Sequence, residues 1–182
     1  MSLNTVFATC RNPDNASALQ SLKQTNVERL YIIKLDVGDE KSTKDAAEAV
    51  QGILGERGLD YLLNNAGIVS RTDLVRCMYS DIIRSITENE GYDVAFTMSI
   101  SSLTKSLHTN VIGPAIIAQI FLPLIEKSGR KVIVNTSTTV GSFGKDMGSV
   151  VASYSISKAA LNMLVSPSDY VLCGNVLIHG VL

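Results

Sequence analysis

An excess of basic residues is missing from this 182-residue chain, in which 16 Lys and Arg face 17 Asp and Glu for a formal net charge of −1. Without a basic stripe there is no electrostatic footprint for a phosphate backbone, so nucleic acid is not an expected partner. Cysteine is scarce: Cys10, Cys77 and Cys173 are odd in number and lack metal-ligand spacing. That usage suits packing roles in a reducing cytoplasm and argues against a disulfide-built secreted domain or a metal site. Long apolar runs are also lacking. The longest, residues 111–125, is broken by Gly113, Pro114, Gln119 and Pro123, and no basic region followed by an apolar one opens the chain. Neither a membrane span nor a signal peptide is expected. With 46% hydrophobic and only 18% charged residues the chain is not of the disordered class, and its length supports one core and a single domain over residues 1–182.

What is present is an alternation of strand and helix periods. Residues 5–9 are β-prone and end at Arg11-Asn12-Pro13, where proline and its predecessor disfavour a continued strand or entry into a helix. Ala16, Leu19 and Leu22 recur at helical spacing over 14–24 behind Asp14 or Asn15 as caps, and residues 30–35 form a second strand ending at Asp36. A second helix over 42–54 carries Ala46, Ala49, Val50 and Ile53 on one face, and a third strand follows over 59–63. This β-α-β order predicts an α/β domain with a parallel sheet. Over residues 70–93, Leu74, Val75, Met78, Ile82 and Ile83 suggest a helix, but polar and charged residues surround Glu88 to Gly91, and the stretch reads as a mobile insertion. Leu103, Leu107, Val111, Ala118, Leu122 and Ile125 then draw a long helical stripe, followed by a strand over 131–135, a glycine-rich loop over 141–148 and a helix from Tyr154 to Leu164 that Pro167 stops.

Tyr154 and Lys158 are four apart on that last helix and share one face, where an ammonium would lower the phenol's pKa and make it an acid or base near neutral pH. Taken alone, the spacing equally describes an exposed helix pair. It is accompanied by Asn64-Asn65-Ala66-Gly67 at the end of one predicted strand and Asn135-Thr136-Ser137-Thr138 at the end of the next. In an open parallel sheet ligands bind at that edge, although Asn and Gly also serve turns and Ser or Thr also cap helices. Pro114 has no N–H for the carbonyl of Asn110, four residues earlier, so that carbonyl either holds a water beside the site or marks a kink absorbed by packing.

In this order the residues resemble the short-chain dehydrogenase/reductase family, with its Asn-Asn-Ala-Gly strand end, helix asparagine, serine after the next strand and Tyr-x-x-x-Lys. Residues 7–13, 108–114 and 157–162 look most like its sniffer-type carbonyl reductases. The resemblance covers roughly residues 4–164 and implies a Rossmann-type doubly wound sheet and hydride transfer between a nicotinamide and a carbonyl or alcohol. By that resemblance Tyr154 protonates the carbonyl oxygen, Lys158 tunes it and holds the nicotinamide ribose, and Asn110 anchors a relay water. The substrate-orienting hydroxyl falls at Thr138, where the family has serine, with Ser137 beside it as the other candidate. Asp36 matches the position contacting adenine, and Asn64, Ala66 and Gly67 match the segment along the cofactor's ribose. Arg11 stands where an acidic residue would bind a 2′-hydroxyl, and its guanidinium suits a 2′-phosphate, so NADP(H) is favoured over NAD(H).

The departures lie at the ends. No glycine precedes Gly38, so residues 1–37 cannot form the glycine-rich turn that brings a pyrophosphate to a helix N-terminus. The strand at residues 5–9 matches the family's second, which leaves the central first strand and its helix, and the family's C-terminal strands, without counterparts. Residues 166–182 form an atypical tail in which 176–178 can add one strand. Truncation at both ends predicts unpaired strand edges, lower stability, a rearranged sheet or association with another chain. The expectation is therefore a cytoplasmic NADP-dependent oxidoreductase of small carbonyls or alcohols, with a homo-oligomer through the helices near 101–126 and 153–165. The alternative is a catalytically inactive partner, or nucleotide-sensing pseudoenzyme, that associates with full-length relatives.

Overall fold

The structure, a computed structural model, describes residues 4–69, 98–144, 151–164 and, by backbone alone, 177–181. The expected insertion at 70–93, Cys77, Cys173, Pro167 and most of the glycine-rich loop and tail lie outside the described residues.

Strand β1 (Val6–Cys10) ends three residues before Pro13, which opens a single 3-10 turn (Pro13–Asn15) ahead of helix α1 (Ser17–Thr25). The Gln20 amide donates to the Pro13 carbonyl at 3.0 Å and ties the two together. Strand β2 (Leu30–Lys34) lies parallel to β1, with Val6 opposite Leu30 and Cys10 opposite Lys34. Helix α2 (Glu40–Leu54) starts two residues earlier than its apolar period, because the Asp39 carboxylate caps it by accepting from the Ser42 N–H at 2.5 Å. Its buried stripe is Thr43, Ala46, Val50 and Leu54, while the pairs Lys41–Asp45 and Lys44–Glu40 lace the exposed face. Gly55, at φ 61°, ends it in a backbone region that disfavours side chains.

Strand β3 (Tyr61–Asn64) pairs in parallel with β4 (Val132–Thr136), and β4 in turn with β5 (Leu177–Val181). Between β3 and β4 runs the long apolar helix in three parts: α3 (Ile100–Leu107), a π-helical turn (His108–Ile112) and α4 (Gly113–Glu126). The apolar stripe predicted one continuous helix. The π turn arises where Pro114 has no N–H to bond Asn110, and the Gly113 N–H reaches back to the His108 carbonyl, five residues away. After a 3-10 turn (Thr139–Gly141), helix α5 (Ala152–Leu164) carries Tyr154 and Lys158.

All strands are parallel, as expected of the α/β class, but they form two sheets, β1-β2 and β3-β4-β5. The division falls between β1 and β3, and it leaves one edge of each unpaired among the described residues. One core spans both sheets. Ala46, Val50 and Leu54 of α2 pack with Ile117, Phe121, Leu124 and Ile125 of α4, and Phe7 and Ile33 reach them from the first sheet, Leu62 and Ile133 from the second. The other face of β3 is open, with Leu63 66% exposed and Tyr61 exposed beside it. Leu22, expected on the buried side of α1, is also exposed, because α1 packs against β2 with no described helix beside it.

Candidate active site

The C-terminal ends of β3 and β4 are fastened to each other. Asn64 Nδ2 donates to Asn135 Oδ1 at 2.9 Å, both side chains being buried, and Thr136 Oγ1 donates to Asn65 Oδ1 at 3.0 Å. Asn64 therefore joins the strands with its side chain, and the exposed residues Ala66 and Gly67 form the rim of the edge. The edge is built from short polar links and not from bulky side chains.

Helix α5 brings the titratable pair to this edge. Lys158 is 4% exposed, and its ammonium donates to the carbonyl of Thr136, the last residue of β4 and one past its final pairing with β3, at 2.7 Å. Its Nζ also stands 5.8 Å from the centre of the Tyr154 ring. Burial pushes the Lys158 pKa down and the Tyr154 pKa up. The adjacent ammonium was expected to lower the phenol, but desolvation sets the direction instead. Burial thus favours the protonated phenol of Tyr154.

Asn110 is wholly buried in the π turn and its amide is fully used. Oδ1 accepts the Ile68 N–H at 2.8 Å, while Nδ2 donates to the Ile68 carbonyl at 2.9 Å and to Ser157 Oγ at 2.9 Å. Gly67 packs directly on this group. A Cβ there would lie 3.3 Å from Asn110 Oδ1 and 3.6 Å from Lys158 Nζ, so the absence of a side chain keeps the space beside the lysine open. Tyr154 and Lys158 of one helix, Asn110 and Gly67 are therefore brought together from three separate stretches of sequence.

The two hydroxyl candidates differ. Ser137 is buried and donates to Asn162 Oδ1 at 2.5 Å, and Asn162 donates onward to the Gly141 carbonyl. Thr138 precedes the 3-10 turn in extended backbone, and among the described residues its half-buried hydroxyl makes no hydrogen bond. Arg11 and Asp36 sit exposed just past the C-terminal ends of β1 and β2, and among the described residues neither makes an ion pair. The β2 end is positioned by the π turn. His108 packs over Gly38 (φ 90°), where a Cβ would stand 2.8 Å from the imidazole, and a Cβ on Gly113 would overlap Val37. His108 thus packs its imidazole against the turn at Gly38.

Sequence reasoning overlooked Ser157, Asn162 and Gly141. A Cβ on Gly141 would approach the backbone of Lys158 and Ala159 to 2.9 Å, so this glycine lets the loop lie on α5. For Ser157 a signal existed, since a serine inside a helix three residues after Tyr154 is placed to bond that residue's carbonyl.

Comparison with known proteins identifies the family. The chain matches the short chain dehydrogenase family over residues 3–169. An uncharacterized oxidoreductase of Schizosaccharomyces pombe is 32% identical over 167 residues, which are 92% of this chain and 57% of that protein. Among solved structures, the NADPH-bound carbonyl reductase from chicken fatty liver is 31% identical with a TM-score of 0.73, over 89% of this chain and 58% of that one. Carbonyl reductase Sniffer of Caenorhabditis elegans shares the fold with a TM-score of 0.77 at 24% identity, over 98% of this chain and 73% of that one. The chain spans somewhat more than half the length of the curated relatives it matches. Fold, strand-edge site and sequence together make it a member of the short-chain dehydrogenase/reductase family.

Proposed function

We propose that the chain is an NADP(H)-dependent reductase of small carbonyl compounds. The observation that carries this reading is the convergence of Tyr154, Lys158 and Asn110 on the C-terminal edge of β3 and β4. The site suits the cofactor at two places. Gly67 leaves room beside Lys158, whose ammonium has donors beyond the one given to Thr136, and Arg11 presents a guanidinium with no described partner. On this reading Lys158 and Gly67 hold the nicotinamide ribose, Asn64 and Ala66 shape the segment beside it, Asp36 meets the adenine and Arg11 a 2′-phosphate.

Bound NADPH would supply hydride to the carbonyl carbon. Tyr154 donates its phenolic proton to the carbonyl oxygen, so that hydride and proton together give the alcohol. Lys158, held against Thr136, stabilises the tyrosinate that remains, and the Asn110 π turn supports a water through which that tyrosinate is reprotonated. Thr138, whose hydroxyl is not engaged, orients the substrate oxygen, whereas Ser137 serves Asn162 and the loop at Gly141. Exposed Ile100, Ile156 and Met163 on α3 and α5 support a homo-oligomer through these helices, and the cysteine usage supports a cytoplasmic location.

Oxidation of NADPH, followed by absorbance with a panel of aldehydes and ketones, tests the proposal. Turnover with at least one carbonyl, faster with NADPH than with NADH, is the expected result. A folded protein that oxidises neither cofactor with any carbonyl would overturn it. That outcome would favour the second reading, an inactive nucleotide-sensing or partner protein.

A further inference from the structure

Ser157 touches no reacting group, yet it sits at the centre of the polar contacts that join the catalytic helix to the loop after β3. It is 0% exposed, as is Asn110. Its hydroxyl donates to the Tyr154 carbonyl at 2.7 Å and accepts from Asn110 Nδ2 at 2.9 Å. The other Nδ2 proton and Oδ1 of Asn110 pair with the C=O and N–H of Ile68, as a neighbouring strand would. A continuous path therefore runs from the Tyr154 backbone through Ser157 and Asn110 to Ile68, next to the Gly67 that packs on Lys158.

The path is directional. Because Ser157 gives its only proton to Tyr154, it presents a lone pair to Asn110 and thereby requires the nitrogen side of that amide. The same orientation is the one that matches Ile68, since the reverse would set Oδ1 against a carbonyl and Nδ2 against an N–H. We propose that Ser157 is a positioning residue: it locks the Asn110 amide and so couples the register of α5 to the Gly67-Ile68 segment of the proposed cofactor site. The coupling is a property of the folded chain. Its consequence for turnover rests on the reductase reading.

Hydrogen exchange separates the two. In Ser157→Ala the amide of Asn110 loses an acceptor and its enforced orientation, so exchange at the Ile68 N–H rises about tenfold or more, the loss of one buried hydrogen bond. Exchange at Ile133 in the core of β4 stays as in wild type. Asn110→Ala raises Ile68 exchange by itself, and adding Ser157→Ala to it changes nothing further. Should Ser157→Ala fail to fold, Ser157→Cys keeps the volume, weakens both bonds and is expected to give the same selective rise. Unchanged Ile68 exchange, or a parallel rise at Ile68 and Ile133, would overturn the proposal by showing no coupling or only general loosening. In the NADPH assay, Ser157→Ala is expected to lower kcat/KM for NADPH about tenfold. An inactive wild type with selective exchange would contradict the reductase reading and leave the coupling established.

Discussion

Replacing Tyr154 with Phe is expected to lower carbonyl reduction by about 10²–10⁴-fold, the usual loss when a positioned acid is removed. The melting temperature should hardly move. Among the described residues the Tyr154 hydroxyl has no hydrogen-bond partner, so removing it breaks no structural contact, and the ring that faces Lys158 is retained. Burial raises the phenol above its ordinary value of 10.0, so the donor form dominates through neutral pH and reduction by wild type should decline only in the alkaline range. Kinetics across pH on both proteins check this. A Tyr154→Phe enzyme within a fewfold of wild type would remove the residue from the chemistry.

The largest effect on stability is expected at Phe121. It is 4% exposed and belongs to the face of α4 that packs with α2 and both sheets through one core. Phe121→Ala should cost about 3–5 kcal/mol in lost transfer energy and cavity formation. Domains of this kind have only about 5–15 kcal/mol in total. Among the described residues this one also leaves an edge of β1 and an edge of β3 unpaired, with an open face at Leu63. The variant is therefore expected to be largely unfolded at 37 °C. Urea titration measures the loss, and a change under about 1 kcal/mol would mean that the two sheets are not held by this core.

The parts of the fold that follow from local pattern were legible in the sequence. The strands at Val6–Cys10, Leu30–Lys34 and Val132–Thr136 fall within a residue of their β-prone runs, and α2 differs only by the first turn that Asp39 caps. What depends on distant residues was not. The stripe from Leu103 to Ile125 has one helical period throughout, and Pro114 announced a break. The π-turn solution is bound up with Asn110 meeting Ile68 and with Gly113 against Val37, contacts no window of sequence contains. In the site, the four-residue spacing of Tyr154 and Lys158 was legible because it lies within one helix. The direction of their pKa shifts was not, since burial is a tertiary property. Thr138 and Ser137 could not be ranked from sequence, and the difference lies in Asn162, 25 residues from Ser137, which occupies the serine's hydroxyl.

The division of the sheet ties the fold to the central claim. The order of the motifs placed a gap between β1 and β3, and the two sheets part at that gap, yet the residues proposed to hold cofactor lie on both of them: Arg11 and Asp36 on the first, Gly67 and Lys158 beside the second. Thermal melting of the chain with and without NADPH and NADH tests most directly whether these two groups form one site. The account predicts a cooperative transition whose midpoint rises with NADPH concentration and rises less with NADH. A transition indifferent to both, or no cooperative transition at all, would contradict it.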